Sequence, residues 1–493
     1  MAAILLLPPL AALLIGAGAA TRASALLTRL SGVLTSTVLL TTGLALLTHR
    51  GPAPTLGGDL LRADPLSALM LAIVGAVGLT ATWAGLAPRP GPDEGPRPAA
   101  ARADRRYAAF VAVFLGAMAI AVTTDNLGVL WVAVEATTIA TAFLVGHRGG
   151  PRSLEAAWKY VVLGSVGVAI AFLGIVLVYA SSRTGGSPTL SWVALTSSGI
   201  TLSPHLARAG VALAILGFAT KAGLAPMHSW LPDAHSQAPA PVSGLMSGVL
   251  LSVAMYAILR VQAVGAAHIG VGLVHGLLIT FGLLSLAVAA LLTLTQRDYK
   301  RLLAYSSIEH MGVIALGVGS GTTLGLTAAL LHMLGHGVVK AAMFVIAGRV
   351  LSVTGSSRID HVTGLLKRRP DLGWPFLVGS AALLGFPPFV TFFTEVAILV
   401  ALAEAGLWWA AGAAALLLLV TFVGIARQVL GMTVGAPEPA PGPSDHALIE
   451  DRPSRLRTAP VAIALACGAA VSFLALVFVP VLGAAAAALG VAK

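Results

Sequence analysis

The chain is a succession of long apolar runs separated by short polar joints. The runs fall at roughly 1–20, 25–47, 65–86, 107–124, 127–146, 155–181, 206–226, 239–262, 270–294, 302–319, 323–350, 373–402, 407–432 and 459–485. Each is rich in Leu, Ala and Val and long enough to cross a hydrocarbon layer about 30 Å thick as a helix. Barrel strands would be about 10 residues long and alternating in character. Backbone polar groups inside a bilayer must be satisfied within the segment, and helices do this. The pattern therefore predicts an all-α polytopic membrane protein of about fourteen spans. Pro88 to Arg106 and Gly435 to Arg457 read as exposed hydrophilic loops, and Ser182 to His205 has room for an interfacial amphipathic piece. The first run lacks a basic leader and reads as a retained helix.

Two segments depart from plain helix. Lys221–His235 (KAGLAPMHSWLPDAH) and Gly385–Glu395 (GFPPFVTFFTE) each set proline and an ionisable residue inside an apolar stretch. Proline removes an intrahelical hydrogen bond and opens the helix. The breaks fall in the seventh and twelfth spans, and an odd spacing of five spans means opposite orientation. Interrupted helices in corresponding places point to inverted repeats. The expected division is 1–106 for three N-terminal spans and a loop, 107–262 and 270–432 for two inverted five-helix repeats, and 433–493 for a loop and last helix.

Composition supports the membrane reading. The 493 residues are 57% hydrophobic and only 10% charged, against about 25% charged in a soluble domain. Mean hydropathy is +0.92. The net charge of +11 does not mark a nucleic-acid surface, because Lys and Arg sit in joints between runs. Joints after odd-numbered spans hold most of them, including Arg102, Arg105, Arg106, Arg152, Arg297, Arg301, Lys367, Arg368 and Arg369; joints after even-numbered spans hold Arg50, Arg62 and Arg183. Positive loops stay inside, so both termini are expected on the outer face of the cytoplasmic membrane. The single cysteine, Cys467, reads as a small core residue and excludes an internal disulfide or a thiolate cluster. No cofactor or metal is expected on this chain, and any redox chemistry belongs to a partner.

Ionisable groups at membrane depth are costly and point to function. Glu135 lies in Leu130–Phe143, about eight residues from either end of its run. It is a candidate proton carrier, or else a neutral acid bonded to a neighbouring Ser or Thr. Lys221 precedes the first break and is its candidate partner, or else a helix-end lysine reaching the interface. Burial disfavours the charge on either group and pairing restores it, so a pair that opens and closes can exchange protons. His332, His336 and Lys340 recur at steps of four and share one helix face. Histidine both donates and accepts, which suits a relay. Zinc is the rival reading of His332 and His336, but the spacing supplies no third ligand. His310 lies early in the tenth span; its neighbour Glu309 is expected to face elsewhere. Glu395 would end the row. His228, Asp233 and His235 join the candidates as members of the first broken segment. Lys300 ranks below them and reads first as a loop charge beside Asp298 and Arg301.

These residues lie in motifs that resemble one family: Leu130–Thr138 (LWVAVEATT), Glu155–Tyr160 (EAAWKY), the two broken segments, Asp298–Gly312 (DYKRLLAYSSIEHMG) and His332–Lys340 (HMLGHGVVK). The chain resembles the antiporter-like subunits of respiratory complex I, of group 4 membrane-bound hydrogenases and of Mrp cation/proton antiporters, closest to the hydrogenase-4 component F and formate hydrogenlyase branch. The resemblance implies two inverted five-helix repeats. It also implies a proton path gated by Glu135 and Lys221, relayed by His310, His336 and Lys340, and ended by Glu395. It implies a non-catalytic subunit of a redox-driven complex, with further membrane subunits and peripheral hydrogenase-like and iron–sulfur partners. A stand-alone or Mrp-like Na⁺/H⁺ antiporter and a purely structural anchor are the other readings. One departure is Ser252, where many relatives carry lysine; a hydroxyl orders water but holds no charge.

Overall fold

The computed structural model describes residues 2–21, 25–58, 60–86, 98–435, 455–473 and 475–489. Helices α1 (Leu7–Ala20), α2 (Ala25–Leu47) and α3 (Pro65–Trp83) come first, with a two-residue antiparallel pair, β1 (Thr55–Leu56) and β2 (Leu61–Arg62), before α3. Next are α4 (Pro98–Thr123), α5 (Leu127–Val145), α6 (Pro151–Thr184), the short α7 (Trp192–Leu195) and α8 (Pro204–Lys221). Beyond the first break lie α9 (Trp230–Gln237) and α10 (Ala240–Leu245), the latter continuous through a π turn, Met246–Leu250, with α11 (Leu251–His268). Then follow α12 (Gly272–Leu294), α13 (Tyr299–Gly319), α14 (Thr323–Thr354) and the short α15 (Leu365–Arg368). The series closes with α16 (Pro370–Leu383), α17 (Val390–Glu404), α18 (Trp408–Thr433), α19 (Arg455–Phe473) and α20 (Ala475–Ala487).

Among the described residues, eleven helices are long and apolar enough to cross a membrane. The runs at 206–226, 373–402 and 459–485 are missing from that set because each is divided into shorter pieces or, for α8, carries a polar end. The segments 240–268 and 299–319 are buried on all sides, and α14 nearly so. The rim is made of α1, α6 and α18, whose large apolar side chains, such as Trp158, Val162 and Val166 of α6, face outward.

Several expectations need correction. Helix α4 begins at Pro98, so residues 98–106 are not loop; an Ala-rich stretch of good helix formers extends the span. The remainder of that stretch and most of 435–457 lie outside the described residues. Between Ser182 and His205 the helical piece is only the four-residue α7, and its Trp192 and Leu195 are buried rather than interfacial. Cys467 is exposed, because it sits on the outward side of α19.

Glycine sets how closely the helices approach. A Cβ on Gly174 of α6 would lie 2.3 Å from the Ala214 nitrogen, and one on Gly217 of α8 would lie 2.3 Å from the Ala171 nitrogen. Gly167 and Gly174 of α6, like Gly210 and Gly217 of α8, recur at seven residues and let the two backbones touch. That contact brings the C-terminal end of α8 against α6. The same device joins α12 to α13, where Gly282 and Gly312 face one another's carbonyls.

A buried ion pair ties α3 to α11. Arg260 donates from Nη1 to Asp64 Oδ2 at 2.7 Å and from Nη2 to Asp64 Oδ1 at 2.6 Å. Its guanidinium lies 3.9 Å from the Trp192 ring centroid, which explains why α7 is drawn inward. Removing one partner strands a buried charge. Arg260→Met is therefore expected to cost about 3–5 kcal/mol, read as a lowered thermal midpoint of the purified protein in detergent. Adding Asp64→Asn should recover much of the loss; an equal or larger loss would show that packing, not charge, holds this contact.

Candidate functional site

The first break begins where α8 ends at Lys221. Gly223 takes φ +73°, a conformation that suits glycine, and Leu231 packs where a side chain would stand. Broken helices free backbone groups that must be satisfied without water. Here the Trp230 indole donates to the Thr220 carbonyl at 3.0 Å, and the Ala225 N–H donates to Ser285 Oγ at 2.9 Å. At the second break the Thr391 hydroxyl donates to the Ala382 carbonyl, near the end of α16.

Lys221 is fully buried. Its ammonium donates to Thr138 Oγ1 at 2.7 Å and to the Tyr160 hydroxyl at 2.6 Å. Thr138 in turn donates to Glu135 Oε2 at 3.2 Å, and Ser165 donates to Glu135 Oε1 at 2.9 Å. The carboxylate and ammonium thus meet through a threonine hydroxyl rather than in a direct ion pair. A hydroxyl that accepts from one group and donates to the other can hand a proton across without moving either chain.

The central groups gather on α13 and α14. His310 Nδ1 is 2.9 Å from His332 Nε2, and His332 Nδ1 is 2.8 Å from Thr394 Oγ1. The His336 ring centroid lies 4.7 Å from that of His310. Lys340 donates to the Leu303 carbonyl at 2.7 Å and to the Ser306 hydroxyl. Glu395 Oε1 stands 4.0 Å from His310 Nδ1. Glu309, expected to face elsewhere, is buried within electrostatic reach of both Lys340 and Glu395. Because α13 is enclosed on every side, a turn of one residue still points inward.

The other candidates surround these groups at differing depths. His235 is fully buried and stacks on Phe344 at 4.7 Å, with neither ring nitrogen hydrogen-bonded. Lys300 is buried rather than a loop charge: it donates to the Ser236 and Ala238 carbonyls at 2.6 and 3.1 Å, capping the C-terminal end of α9. Asp233 stands at a polar surface cavity of about 240 Å³, ion-paired to Lys159 at 3.1 Å and Arg301 at 3.0 Å. His228 is half-buried in the break. Ser252 is buried and donates only to the Gly248 carbonyl of its own helix, at 3.3 Å. Nearer the cluster, the π turn offers Ser247, whose hydroxyl lies 2.7 Å from that of Ser307. Sequence reasoning missed Tyr160, Ser165, Thr394 and the bridging role of Thr138, all of which lie in or near the recognised motifs. His310, His332 and Glu395 offer ligand atoms all within 4.8 Å of one another, a trio that leaves out His336, the partner that the sequence spacing gave His332.

Residues 124–421 match the family described as NADH:quinone oxidoreductase/Mrp antiporter, transmembrane. The chain belongs to this family. The matched stretch contains every candidate from Glu135 to Glu395. A hydrogenase-4 component F homolog of Methylacidiphilum infernorum is 40% identical over 298 residues, 60% of this chain and 63% of the relative. An NADH-quinone oxidoreductase subunit N of Desulforudis audaxviator is 33% identical over 316 residues, 62% of this chain and 61% of the relative. The matches thus span about three fifths of these relatives' length. A chain of respiratory complex I from Thermus thermophilus superposes with TM-score 0.74 at 27% identity, covering 98% of this chain and 99% of that one. A chain of the Mrp complex from Dietzia sp. DQ12-45-1b shares the fold, with TM-score 0.81 at 22% identity over 99% of this chain and 97% of that one.

Gly385 leaves room for the Glu395 carboxylate. Its φ is +65°, and a Cβ there would stand 2.5 Å from Glu395 Oε2. Gly385→Ala is expected to cost at least about 1 kcal/mol in backbone strain alone and to displace the Glu395 carboxylate. Thermal denaturation in detergent checks the loss; an unchanged midpoint would mean that the second break is free to adjust.

Proposed function

We propose that this chain is a proton-translocating, antiporter-like subunit of a hydrogenase-like or complex I-like respiratory assembly. Protons pass along a midplane row of Glu135, Lys221, the histidines of α13 and α14, Lys340 and Glu395. The observation that carries this reading is the hydroxyl-bridged unit of Glu135, Thr138 and Lys221. A lysine buried at membrane depth with hydroxyl partners is a costly arrangement for a scaffold and a useful one for a gate. As folded, Lys221 rests on Thr138 and Tyr160. Movement toward Glu135 closes the pair, and a partner-driven change in its charge releases a proton into the row. Gaps longer than a hydrogen bond are crossed by water. His228, Asp233, His235, Lys300 and Ser252 take supporting places near the row.

The finer architecture belongs to the same proposal. The divided runs at 206–226, 373–402 and 459–485 complete fourteen spans, and 107–262 and 270–432 form two inverted five-helix repeats. Both termini lie on the outer face of the cytoplasmic membrane. The chain works beside other membrane subunits and peripheral hydrogenase-like and iron–sulfur subunits, which perform the electron transfer.

Glu135→Gln and Lys221→Met should each abolish or severely reduce coupled proton transfer with assembly intact, measured in proteoliposomes of the purified complex. Normal pumping in either variant removes the pair from the mechanism. Thr138→Val keeps both charges and should slow transfer about a hundredfold, the lower range for losing a positioned proton carrier. A rate equal to wild type would show that water, not the threonine, bridges the pair. Native purification with mass spectrometry identifies the partners. Hydrogenase-like or iron–sulfur subunits support redox-driven pumping, whereas antiporter-type subunits alone direct the reading to Na⁺/H⁺ exchange.

A further inference from the structure

We infer that His310, His332 and Glu395 form a binding site for a divalent transition-metal ion of the zinc class, built on three helices at the second break. The hydrogen-bond directions define the donor set. Thr394 Oγ1 directs its single proton to the Val390 or Thr391 carbonyl, each at 2.9 Å. It therefore accepts from His332 Nδ1, which carries the proton. His332 Nε2 is then a lone pair, and it points at His310 Nδ1. Glu395 brings a carboxylate oxygen to the same point. Histidine ligands are commonly oriented in this way, through a hydrogen bond from the ring nitrogen remote from the metal.

The three ligand atoms lie within 4.8 Å of one another, and a tetrahedral ion is reached once the two imidazoles turn from facing each other onto one point. Bonds of about 2.0–2.1 Å to nitrogen and oxygen separate tetrahedral ligand atoms by about 3.3 Å. The two separations from His310 Nδ1, 2.9 Å to His332 Nε2 and 4.0 Å to Glu395 Oε1, bracket that value. His310 Nε2 is buried without a hydrogen-bond partner. The His310 proton can shift to it, which frees Nδ1 as the third lone pair. Two imidazoles and one carboxylate leave the fourth position for water, a donor set that zinc accepts. Access comes from the Glu395 side, whose side chain is 16% exposed.

The binding claim stands apart from proton transport. Its consequence rests on the proposed function: a bound ion occupies the lone pairs that the row needs, so zinc would block the path at its last step.

The test is titration of Co²⁺ into the full chain, purified in detergent with a histidine-free tag. One saturable equivalent with the intense visible bands of four-coordinate Co²⁺ is expected, displaced by Zn²⁺. Glu395→Gln and His332→Gln should abolish those bands, and His228→Gln should leave them unchanged. Thr394→Val keeps all three ligands and should weaken binding about 10–100-fold; it serves as the decisive variant if either ligand substitution unfolds the protein. Weak six-coordinate bands, or four-coordinate bands indifferent to all three substitutions, would overturn the site. Transport that continues unchanged with the ion bound would instead count against the proton reading alone.

Discussion

A hydrocarbon surround offers no hydrogen bonds, so the backbone polar groups of this bundle must find their partners within the chain. Where helices are continuous, the backbone meets that demand unaided. The two breaks do not, and their freed groups are met one by one: the Thr220 carbonyl by Trp230, the Ala225 N–H by Ser285, the Ala382 carbonyl by Thr391. Those side chains come from residues beyond the break or from a neighbouring helix. Thr220, Ala225 and Ala382, whose backbone groups are met in this way, are buried, while Pro226 and Phe386–Pro388 of the same breaks are exposed.

The same constraint explains how charge is carried. Asp64 and Arg260 form a tight bidentate pair with further contacts to Ser67 and Trp192, an arrangement suited to holding α3 and α11 together. Lys221 is treated differently. It rests on the neutral hydroxyls of Thr138 and Tyr160, with Glu135 one hydroxyl further away. The first pair is saturated by direct charge-to-charge hydrogen bonds, whereas in the second the two charges meet only through a neutral hydroxyl.

Helix approach connects the fold to this chemistry. Glycines spaced by seven on α6 and α8 bring backbone against backbone, and the Lys221 ammonium then reaches Tyr160 across the interface. On the other side of the molecule, enclosure of α13 on every side turns both Glu309 and His310 inward, and α17 adds Thr394 and Glu395.

The sequence by itself determined the membrane class, most helix positions, both breaks and the ionisable residues worth examining. These are properties of local hydrophobicity, proline chemistry and the cost of buried charge. The family followed from the same motifs. Periodicity also placed His332, His336 and Lys340 on one helix. What it could not determine was contact between helices distant in the chain. The Thr138 bridge joins α5 to α8, Tyr160 reaches Lys221 across 61 positions, and Glu395 meets His310 from α17. Lys300 looked like a loop charge until α9 folded its carbonyls onto it. Glu309 was expected to face elsewhere than His310, and only the packed bundle shows that α13 is enclosed on every side.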